Sequence, residues 1–369
     1  MSRTEPRHPY LEVLEPYQPP DLEAAAQRAG VEEDDLIRLV ANENPFGPSP
    51  RVAAALGAFE EYHWHPDYGA LQEAVARYAG VPASQVVLGN GADELIDLLI
   101  RLFVEPGEAV VISPPTFSMY RFCARVNRCA VLTAPRRANL SIDARAIEAL
   151  VQGGRVPGEA GEERGEARLL FVVSPGNPSG QAVPLDMIER LLALPLTVVV
   201  DEAYIEFGGQ TAVSLLPEHE NLVILRTFSK WAGMAGLRLG YALLNGSRAS
   251  YLERMRAPYN VNAAAMVAAL ATFEDLEAVQ ANVARLVEER DRLTEGLSDI
   301  AWLEPVPSEA NFILCRVVGR EARAVVDDLL NYGILIRGFS DPLMAEYVRI
   351  TVGRPDQNDA LVRALGRMT

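Results

Sequence analysis

The chain has 369 residues, of which 49% are hydrophobic, and its formal net charge is −16. This length suits one large domain with a smaller one, and the acidic balance argues against nucleic acid or an anionic membrane as a partner, since both attract basic patches. Three cysteines without a C-x-x-C pair indicate neither a disulfide framework nor a zinc site, so we expect no metal. The first 20 residues carry charges and prolines, and no apolar run reaches membrane-spanning length, so the sequence predicts a cytoplasmic protein.

The amino-terminal part of the chain is predicted to form an arm. Residues 1–41 are rich in proline and end in a short apolar run. A loop dense in turn residues follows at 42–50, and apolar residues at helical spacing predict helices over 50–59 and 71–78.

Short apolar runs, rich in β-branched residues, alternate with helical patterns in the middle of the chain. They predict strands at 86–88, 109–112, 169–173, 197–200, 222–225 and 239–243. Continuous apolar strands between helices are typical of an α/β sheet that is buried on both faces. We therefore interpret residues 42–262 as one large domain, with a surface insertion at 152–167 that is rich in Gly, Glu and Arg.

The pattern changes after residue 262. One long alanine-rich helix is predicted from 263 to about 297, followed by short strands and a helix near 322–330. Residues 263–369 are interpreted as a bridging helix and a smaller α+β domain, which the arm at 1–41 joins.

A glycine turn separates the predicted strand at 86–88 from the helix that follows it. Backbone N–H groups and the helix dipole face one point at Gly91, Ala92 and Asp93, so this turn can bind an anion such as a phosphate. An ordinary capped helix start is the alternative interpretation. Glu94 occupies the place of the third glycine of a dinucleotide-binding fingerprint, which disfavours a nicotinamide dehydrogenase.

The chain contains a single lysine, Lys230, and all its other long cationic side chains are arginines. An amine can lose its proton and condense with a carbonyl, whereas a guanidinium stays protonated. Compositional drift could also leave one lysine, so the surrounding residues decide between the two interpretations.

Polar side chains directly follow three of the predicted strands, and these are Asn177, Asp201, Tyr204, Thr227, Ser229 and Lys230. In an open α/β sheet, ligands gather at the carboxyl ends of the strands. We therefore expect these side chains to converge on one site.

This set of side chains fits pyridoxal 5′-phosphate. Asp201 would hold a pyridinium nitrogen, Lys230 would hold the ring aldehyde as a Schiff base, and Asn177 with Tyr204 would donate to the phenolate oxygen. The phosphate donors would be Gly91, Ala92, Asp93, Thr227, Ser229 and Arg238.

The sequence resembles the fold-type I pyridoxal-phosphate aminotransferases, and among them the histidinol-phosphate aminotransferases, over nearly the whole chain. The motifs that carry the resemblance are Asn-Glu-Asn-Pro at 42–45, Gly-Ala-Asp-Glu at 91–94, Asp-Glu-Ala-Tyr-Ile-Glu-Phe at 201–207 and the stretch 226–240. The resemblance implies a large domain with a mostly parallel mixed sheet between helices, a smaller α+β domain and a homodimer with sites at the interface. It also implies that Phe117 stacks on the cofactor ring.

The resemblance further implies the reaction. L-histidinol phosphate and 2-oxoglutarate would give imidazole acetol phosphate and L-glutamate, with Lys230 moving the proton from the substrate α-carbon. Arg349 would bind the carboxylate of the amino or keto acid, and Arg337 the distal phosphate. The remaining substrate contacts implied by the resemblance are Tyr17, Asn42 and Tyr259.

Two alternatives stay open on the sequence. An aromatic amino-acid transaminase and a threonine-phosphate decarboxylase of the same fold share most of these motifs. The family also places a tyrosine from the neighbouring subunit at the cofactor phosphate, and the segment that supplies it offers several candidates here, which are Tyr62, His63, Trp64, His65 and Tyr68.

Overall fold

The computed structural model describes residue 14, residues 19–153 and residues 165–368. The predicted insertion at 152–167 therefore lies largely outside the described residues. None of the helices in the described part of the chain combines the length and the apolar character that crossing a membrane requires.

The α-helices of the described residues are α1 (Leu22–Ala29), α2 (Pro50–Gly57), α3 (Gly69–Ala79), α4 (Gly91–Phe103), α5 (Met119–Val126), α6 (Ala144–Val151), α7 (Leu185–Leu192), α8 (Gly246–Met255), α9 (Ala263–Glu274), α10 (Leu276–Ser298), α11 (Ala322–Leu330) and α12 (Pro355–Arg367). The strands are β1 (Ile37–Leu39), β2 (Val86–Gly89), β3 (Ala109–Ile112), β4 (Ala130–Thr133), β5 (Ala167–Val173), β6 (Thr197–Asp201), β7 (Leu222–Thr227), β8 (Gly240–Leu244), β9 (Leu303–Pro305), β10 (Phe312–Val317), β11 (Ile334–Ile336) and β12 (Tyr347–Thr351).

A seven-stranded sheet forms the centre of the molecule. Its strand order is β2-β8-β7-β6-β5-β3-β4, and β8 alone runs antiparallel to its neighbours. The predicted mostly parallel α/β sheet is confirmed, and the six predicted strands agree with the structure to within one or two residues at each end.

One strand of this sheet, β4, was not predicted. It lies at the edge of the sheet and pairs with β3 alone, so most of its residues stay partly exposed. The sequence of β4, Ala-Val-Leu-Thr, is a short apolar run of the kind that marked the other strands, so the prediction overlooked a signal that was present.

Helices cover both faces of the sheet, and alternate residues of each central strand enter different cores. Val198 and Val200 of β6 belong to one core with α3, α7 and α9. Val199, between them, packs into the other core with α4 and α5. This arrangement explains why the central strands read as unbroken apolar runs.

The carboxy-terminal part of the chain forms its own small sheets. Strands β12, β10 and β9 make an antiparallel sheet in that order, while β1 from the amino-terminal region pairs in parallel with β11. An antiparallel bridge between Arg337 and Arg349 links β11 to β12. The boundaries between residues 41 and 42 and between residues 262 and 263 stay predictions.

The single long helix predicted from 263 to about 297 is wrong. Two helices, α9 and α10, meet at Asp275, whose φ of −124° and ψ of 35° lie outside the helical range. The Asp275 N–H donates to the Thr272 carbonyl and so ends α9. No glycine or proline marks this break, so the apolar periodicity continued across it in the sequence.

Candidate active site

A cavity of about 630 Å³ opens where β5, β6 and β7 end. The strands run parallel, so the residues that follow them meet at one edge of the sheet. Among the predicted site residues, those that line the cavity are Asn42, Ala92, Asp93, Phe117, Asn177, Asp201, Tyr204, Thr227, Ser229, Lys230, Arg238, Arg337 and Arg349. Gly91 adjoins this set as the first residue of α4.

The Lys230 amine is held inside the cavity by the backbone of the amino-terminal region. Its Nζ donates to the carbonyl oxygen of Ala41 at 2.9 Å. Burial lowers the pKa of Lys230 to about 8, and the positive charges of Arg349 and Arg238 act in the same direction. A neutral, nucleophilic amine is therefore available close to neutral pH.

Asp201 is a buried carboxylate at the end of β6, with 4% of its surface exposed. Its Oδ1 accepts from the Ala203 N–H at 3.0 Å, and its Oδ2 accepts from the Tyr120 hydroxyl at 2.5 Å. Burial raises the pKa of Asp201 to about 6. No described Arg, Lys or His forms an ion pair with it, so the site fits a ligand that brings its own cation.

Tyr204, three residues after Asp201, lines the same cavity. Asn42 and Asn177 each donate a side-chain N–H to the Tyr204 hydroxyl oxygen, at 3.0 and 3.3 Å respectively. Asn42 adopts a left-handed backbone with φ 55°, which asparagine tolerates better than most residues. The three polar groups therefore form a fixed cluster that suits the phenolic oxygen of an aromatic ligand.

Hydroxyl and guanidinium donors form a second cluster in the cavity. The Thr227 hydroxyl donates to Ser229 Oγ at 2.9 Å, and Arg238 Nη1 donates to the same Oγ at 3.4 Å. A Cβ at residue Gly91 would lie 2.8 Å from Arg238 Nη2, so only glycine lets the guanidinium approach the start of α4. Asp93 pairs with Arg238 at 2.7 Å. These donors, together with the first turn of α4, fit a phosphate group.

Two of the arginines that line the cavity, Arg337 and Arg349, are neighbours through their backbones. Their backbones exchange two hydrogen bonds, from Arg337 N to Arg349 O at 3.0 Å and from Arg349 N to Arg337 O at 2.8 Å. Arg349 donates to Asn177 Oδ1 at 2.6 Å and to the Val40 carbonyl at 2.8 Å. The two guanidinium groups thus face one cavity that also holds a reactive amine.

Residues 34–365 match the family described as aminotransferase class I and II. A histidinol-phosphate aminotransferase from Roseiflexus castenholzii is 44% identical over 368 residues, covering 97% of this chain and 96% of the relative. One from Nicotiana tabacum is 40% identical over 362 residues, covering 97% of this chain and 85% of the relative. The crystal structure of the histidinol-phosphate aminotransferase from Sinorhizobium meliloti with pyridoxal-5′-phosphate superposes with a TM-score of 0.86 at 26% identity, covering 100% of both chains.

The chain belongs to the histidinol-phosphate aminotransferases. The family resemblance read from the motifs is thereby confirmed.

Phe117 lies in this aminotransferase where a ring-stacking residue is expected, and it leads to a residue that the sequence reasoning missed. Its ring stands edge-on to Tyr120, with centroids 5.7 Å apart and planes at 85°. Tyr120 is fully buried and bonds Asp201 directly. The signal available in the sequence was the spacing of three residues from Phe117, which brings two aromatic residues together at the start of a helix.

One predicted substrate contact, Tyr259, does not line the cavity of the aminotransferase. Tyr259 is 53% exposed, and its ring stacks on His65 with centroids 4.1 Å apart. Tyr17 lies outside the described residues. The roles assigned to both residues stay predictions.

Of the five residues that are candidates for a contact with a neighbouring subunit, Tyr68 binds to its own chain instead. The Tyr68 hydroxyl accepts from the Val261 N–H at 3.1 Å, and the Arg256 guanidinium lies 4.5 Å from the ring centroid. These contacts hold Tyr68 against its own chain. Tyr62 and Trp64, in contrast, are 71% and 67% exposed.

Proposed function

We propose that this chain is a histidinol-phosphate transaminase that uses pyridoxal 5′-phosphate. In the proposed reaction, L-histidinol phosphate and 2-oxoglutarate give imidazole acetol phosphate and L-glutamate. The identity of 40–44% to histidinol-phosphate aminotransferases over 97% of the chain supports this proposal.

The choice of substrate rests on one observation, which is that the guanidinium of Arg337 has no anionic partner in the described part of the chain. Its guanidinium lines the cavity and makes no hydrogen bond or ion pair with a described residue. A second arginine, Arg349, is fixed beside it by the backbone bridge. A substrate with a phosphate at the far end would give Arg337 its anionic partner, whereas the side chain of an aromatic amino acid would leave it unpaired.

Bound pyridoxal 5′-phosphate supplies an aldehyde for covalent capture of amines and an electron-withdrawing pyridine ring. The chain supplies the positioning. We assign Asp201 to the proton on the pyridine nitrogen, and Asn177 with Tyr204 to the phenolic oxygen. Phe117 would cover one face of the ring. The phosphate would be held by Thr227, Ser229, Arg238 and the start of α4 at Gly91, Ala92 and Asp93.

Lys230 has two tasks in the proposed function. Its neutral amine would hold the cofactor through the aldehyde, and the same amine would serve as the base for the proton on the substrate α-carbon. Its lowered pKa of about 8 suits a group that must both accept and return a proton near neutral pH. Arg349 fixes the substrate so that the α-carbon faces Nζ.

A substrate panel tests the proposal. The purified enzyme with bound cofactor is mixed separately with histidinol phosphate, phenylalanine and threonine phosphate, and the visible band of the cofactor is followed. Rapid loss of the band with histidinol phosphate, restored by 2-oxoglutarate, is expected. Preference for phenylalanine would establish an aromatic amino-acid transaminase instead, and carbon dioxide release from threonine phosphate would establish a decarboxylase.

The proposal includes a homodimer in which the segment around residues 62–65 reaches the neighbouring active site. The exposed rings of Tyr62 and Trp64 support it, because large apolar side chains in one patch mark a contact surface. We also propose a cytoplasmic location, which the three free buried cysteines Cys123, Cys129 and Cys315 suit.

A further inference from the structure

Tyr120 connects Asp201, which we assign to the cofactor ring nitrogen, to Phe117, which we assign to the ring face. Its hydroxyl donates to Asp201 Oδ2 at 2.5 Å, a short distance of the kind found when a hydroxyl donates to a charged oxygen. Its ring stacks on Phe171 of β5, with centroids 4.4 Å apart and an interplanar angle of 12°, and meets Phe117 edge-on. The phenol is therefore fixed in both position and tilt.

Asp201 depends on a donor of this kind. The carboxylate is buried, and burial favours its neutral form. Its two hydrogen bonds come from the Ala203 N–H and the Tyr120 hydroxyl, one on each oxygen. Of these two, only the bond from Tyr120 comes from outside the loop that carries Asp201.

We propose that Tyr120 is a positioning residue for the cofactor, which orients the Asp201 carboxylate and keeps it ionised so that it binds a protonated pyridine nitrogen. This inference rests on the proposed function. Tyr120 lines the same cavity, and its hydroxyl bonds Asp201, so it acts on the cofactor through the carboxylate.

The charges that surround this pair act in both directions. Asp93 and Glu202 raise the pKa of Asp201, as burial does, while the bonds from Tyr120 and Ala203 lower it. The pKa of Tyr120 lies well above its usual value because the phenol is buried and faces Asp201, with Tyr204 and Asp93 nearby. The phenol therefore stays a proton donor throughout the working range, and the carboxylate is the partner that changes charge.

A purely structural role for Tyr120 predicts different behaviour. A buried hydroxyl needs some acceptor, and Asp201 could serve only to satisfy it. Removing the hydroxyl would then weaken the fold and affect every cofactor analogue alike. A positioning role, in contrast, affects only ligands that carry a ring nitrogen.

The test compares two ligands on the enzyme freed of its cofactor. Dissociation constants are measured by fluorescence for pyridoxal 5′-phosphate and for its 1-deaza analogue, in which a C–H group replaces the ring nitrogen. We expect Tyr120→Phe to weaken binding of pyridoxal 5′-phosphate by roughly 10- to 100-fold, the effect of one hydrogen bond to a charged group. Binding of the deaza analogue should change by less than roughly threefold, which is within the effect of a neutral contact.

The matched control is Tyr241→Phe. Tyr241 is also fully buried in the large sheet, and its hydroxyl faces Arg226 instead of Asp201. This variant should bind both ligands as the original enzyme does. Equal losses for both ligands in Tyr120→Phe would overturn the positioning role.

The pH profile gives a second readout. Binding of pyridoxal 5′-phosphate by the original enzyme should weaken as the pH falls through about 6, where Asp201 takes up its proton. Without the Tyr120 hydroxyl the pKa of Asp201 rises, so the loss should begin at a higher pH. The titration of Lys230 lies above this range and is common to both proteins. An unshifted profile would contradict the inference.

Two further measurements keep the result interpretable. If Tyr120→Phe does not fold, 3-fluorotyrosine at position 120 replaces it; the more acidic phenol should move the weakening to lower pH, and no movement would count against the inference. Asp201→Asn serves as the reference for the proposed function. If the original enzyme binds no pyridoxal 5′-phosphate, the proposed function itself fails. If Asp201→Asn binds it equally well, the role of Asp201 is overturned, and that of Tyr120 with it.

Discussion

Lys230 is the one side-chain amine of the chain, so its replacement removes a chemical group that no other residue duplicates. Lys230→Arg keeps the positive charge but cannot condense with an aldehyde. We expect this variant to show no visible cofactor band and no measurable transamination. Spectra of the enzyme incubated with pyridoxal 5′-phosphate check this.

A second variant separates the position of the amine from its presence. Arg316 is a surface residue that pairs with Glu304 and Glu346. The double variant Lys230→Arg with Arg316→Lys again contains one lysine, but on the surface. It should remain without the visible band, and a band of full intensity would contradict the assignment of Lys230.

The pKa of Lys230 predicts how fast the enzyme captures its cofactor. Because burial lowers this pKa to about 8, the neutral amine becomes abundant at a lower pH than for an exposed lysine. The rate of band formation by the cofactor-free enzyme should rise with pH and level off just above 8. Stopped-flow measurements between pH 6 and about 10.5, the usual lysine pKa, check this; a rate still rising at the upper limit would contradict it.

Arg337 provides the prediction on substrate choice. Arg337→Gln removes the charge that we assign to the distal phosphate, so KM for histidinol phosphate should rise by roughly 10- to 100-fold, the effect of one charged hydrogen bond. Activity with phenylalanine should not fall, because it has no distal anion. Arg323→Gln is the matched control, since that residue is exposed on α11 and pairs with Asp327. A uniform loss with both substrates would contradict the role of Arg337.

The loop that follows β7 is the element on which the site depends, and Gly233 shows how tightly it is packed. This glycine has φ +66°, and an added Cβ would overlap the carbonyl group of Gly47 and lie 2.8 Å from Pro48 N. Gly233→Ala should therefore lower the free energy of unfolding by about 2–4 kcal/mol. Urea denaturation of the cofactor-free protein measures this effect.

Gly236 in the same loop is the internal control. It has no atom within 4 Å of an added Cβ, and its φ lies outside the left-handed region. Gly236→Ala should change the free energy of unfolding by no more than about 0.5 kcal/mol. Equal effects of the two substitutions would show that the close approach of Gly47 to Gly233 does not contribute to the free energy of unfolding.

The sequence predicted the elements best where a single pattern determines them. Central strands are buried on both faces, so their apolar runs could be recognised in the sequence. The polar residues that follow them, among them Asn177, Asp201 and Lys230, could be recognised for the same reason. The break at Asp275 carries no such pattern. Tyr120 was not predicted as a site residue because its role depends on a contact with Asp201, which lies 81 residues away in the sequence.

The pairing of Arg337 with Arg349 was out of reach for a similar reason. The resemblance assigned both residues to the substrate, but their position side by side depends on the register between β11 and β12. Strand register follows from the turn and from packing of the whole small sheet, which local sequence does not determine.

At the scale of the whole molecule, Arg349 joins parts of the chain that are distant in sequence. From β12 it donates to Asn177, which follows β5, and to the carbonyl of Val40, which follows β1. The carbonyl of Ala41, next in the chain, holds Lys230. A movement of the small sheet would therefore be transmitted to the Lys230 amine by two hydrogen bonds, from Arg349 to the Val40 carbonyl and from Lys230 to the Ala41 carbonyl.

The proposed homodimer leads to a prediction on assembly. Replacing both Tyr62 and Trp64 by serine removes the large exposed rings of the 62–65 segment. We expect a shift toward monomer in sedimentation velocity and weaker retention of pyridoxal 5′-phosphate, because each site would lose its neighbour. Tyr332→Ser, at a residue that is 47% exposed outside this segment, should remain dimeric. An unchanged dimer in the double variant would place the interface elsewhere.

The solitary half-buried amine also has a practical consequence for handling this enzyme. Reagents such as succinimidyl esters and glutaraldehyde, which attach dyes or surfaces through lysine, find no exposed lysine side chain here. Their one side-chain target is Lys230, and pyridoxal 5′-phosphate condensed with that amine would shield it. A single arginine-to-lysine exchange on the surface, for instance at Arg316, would therefore provide an attachment point whose location is known in advance.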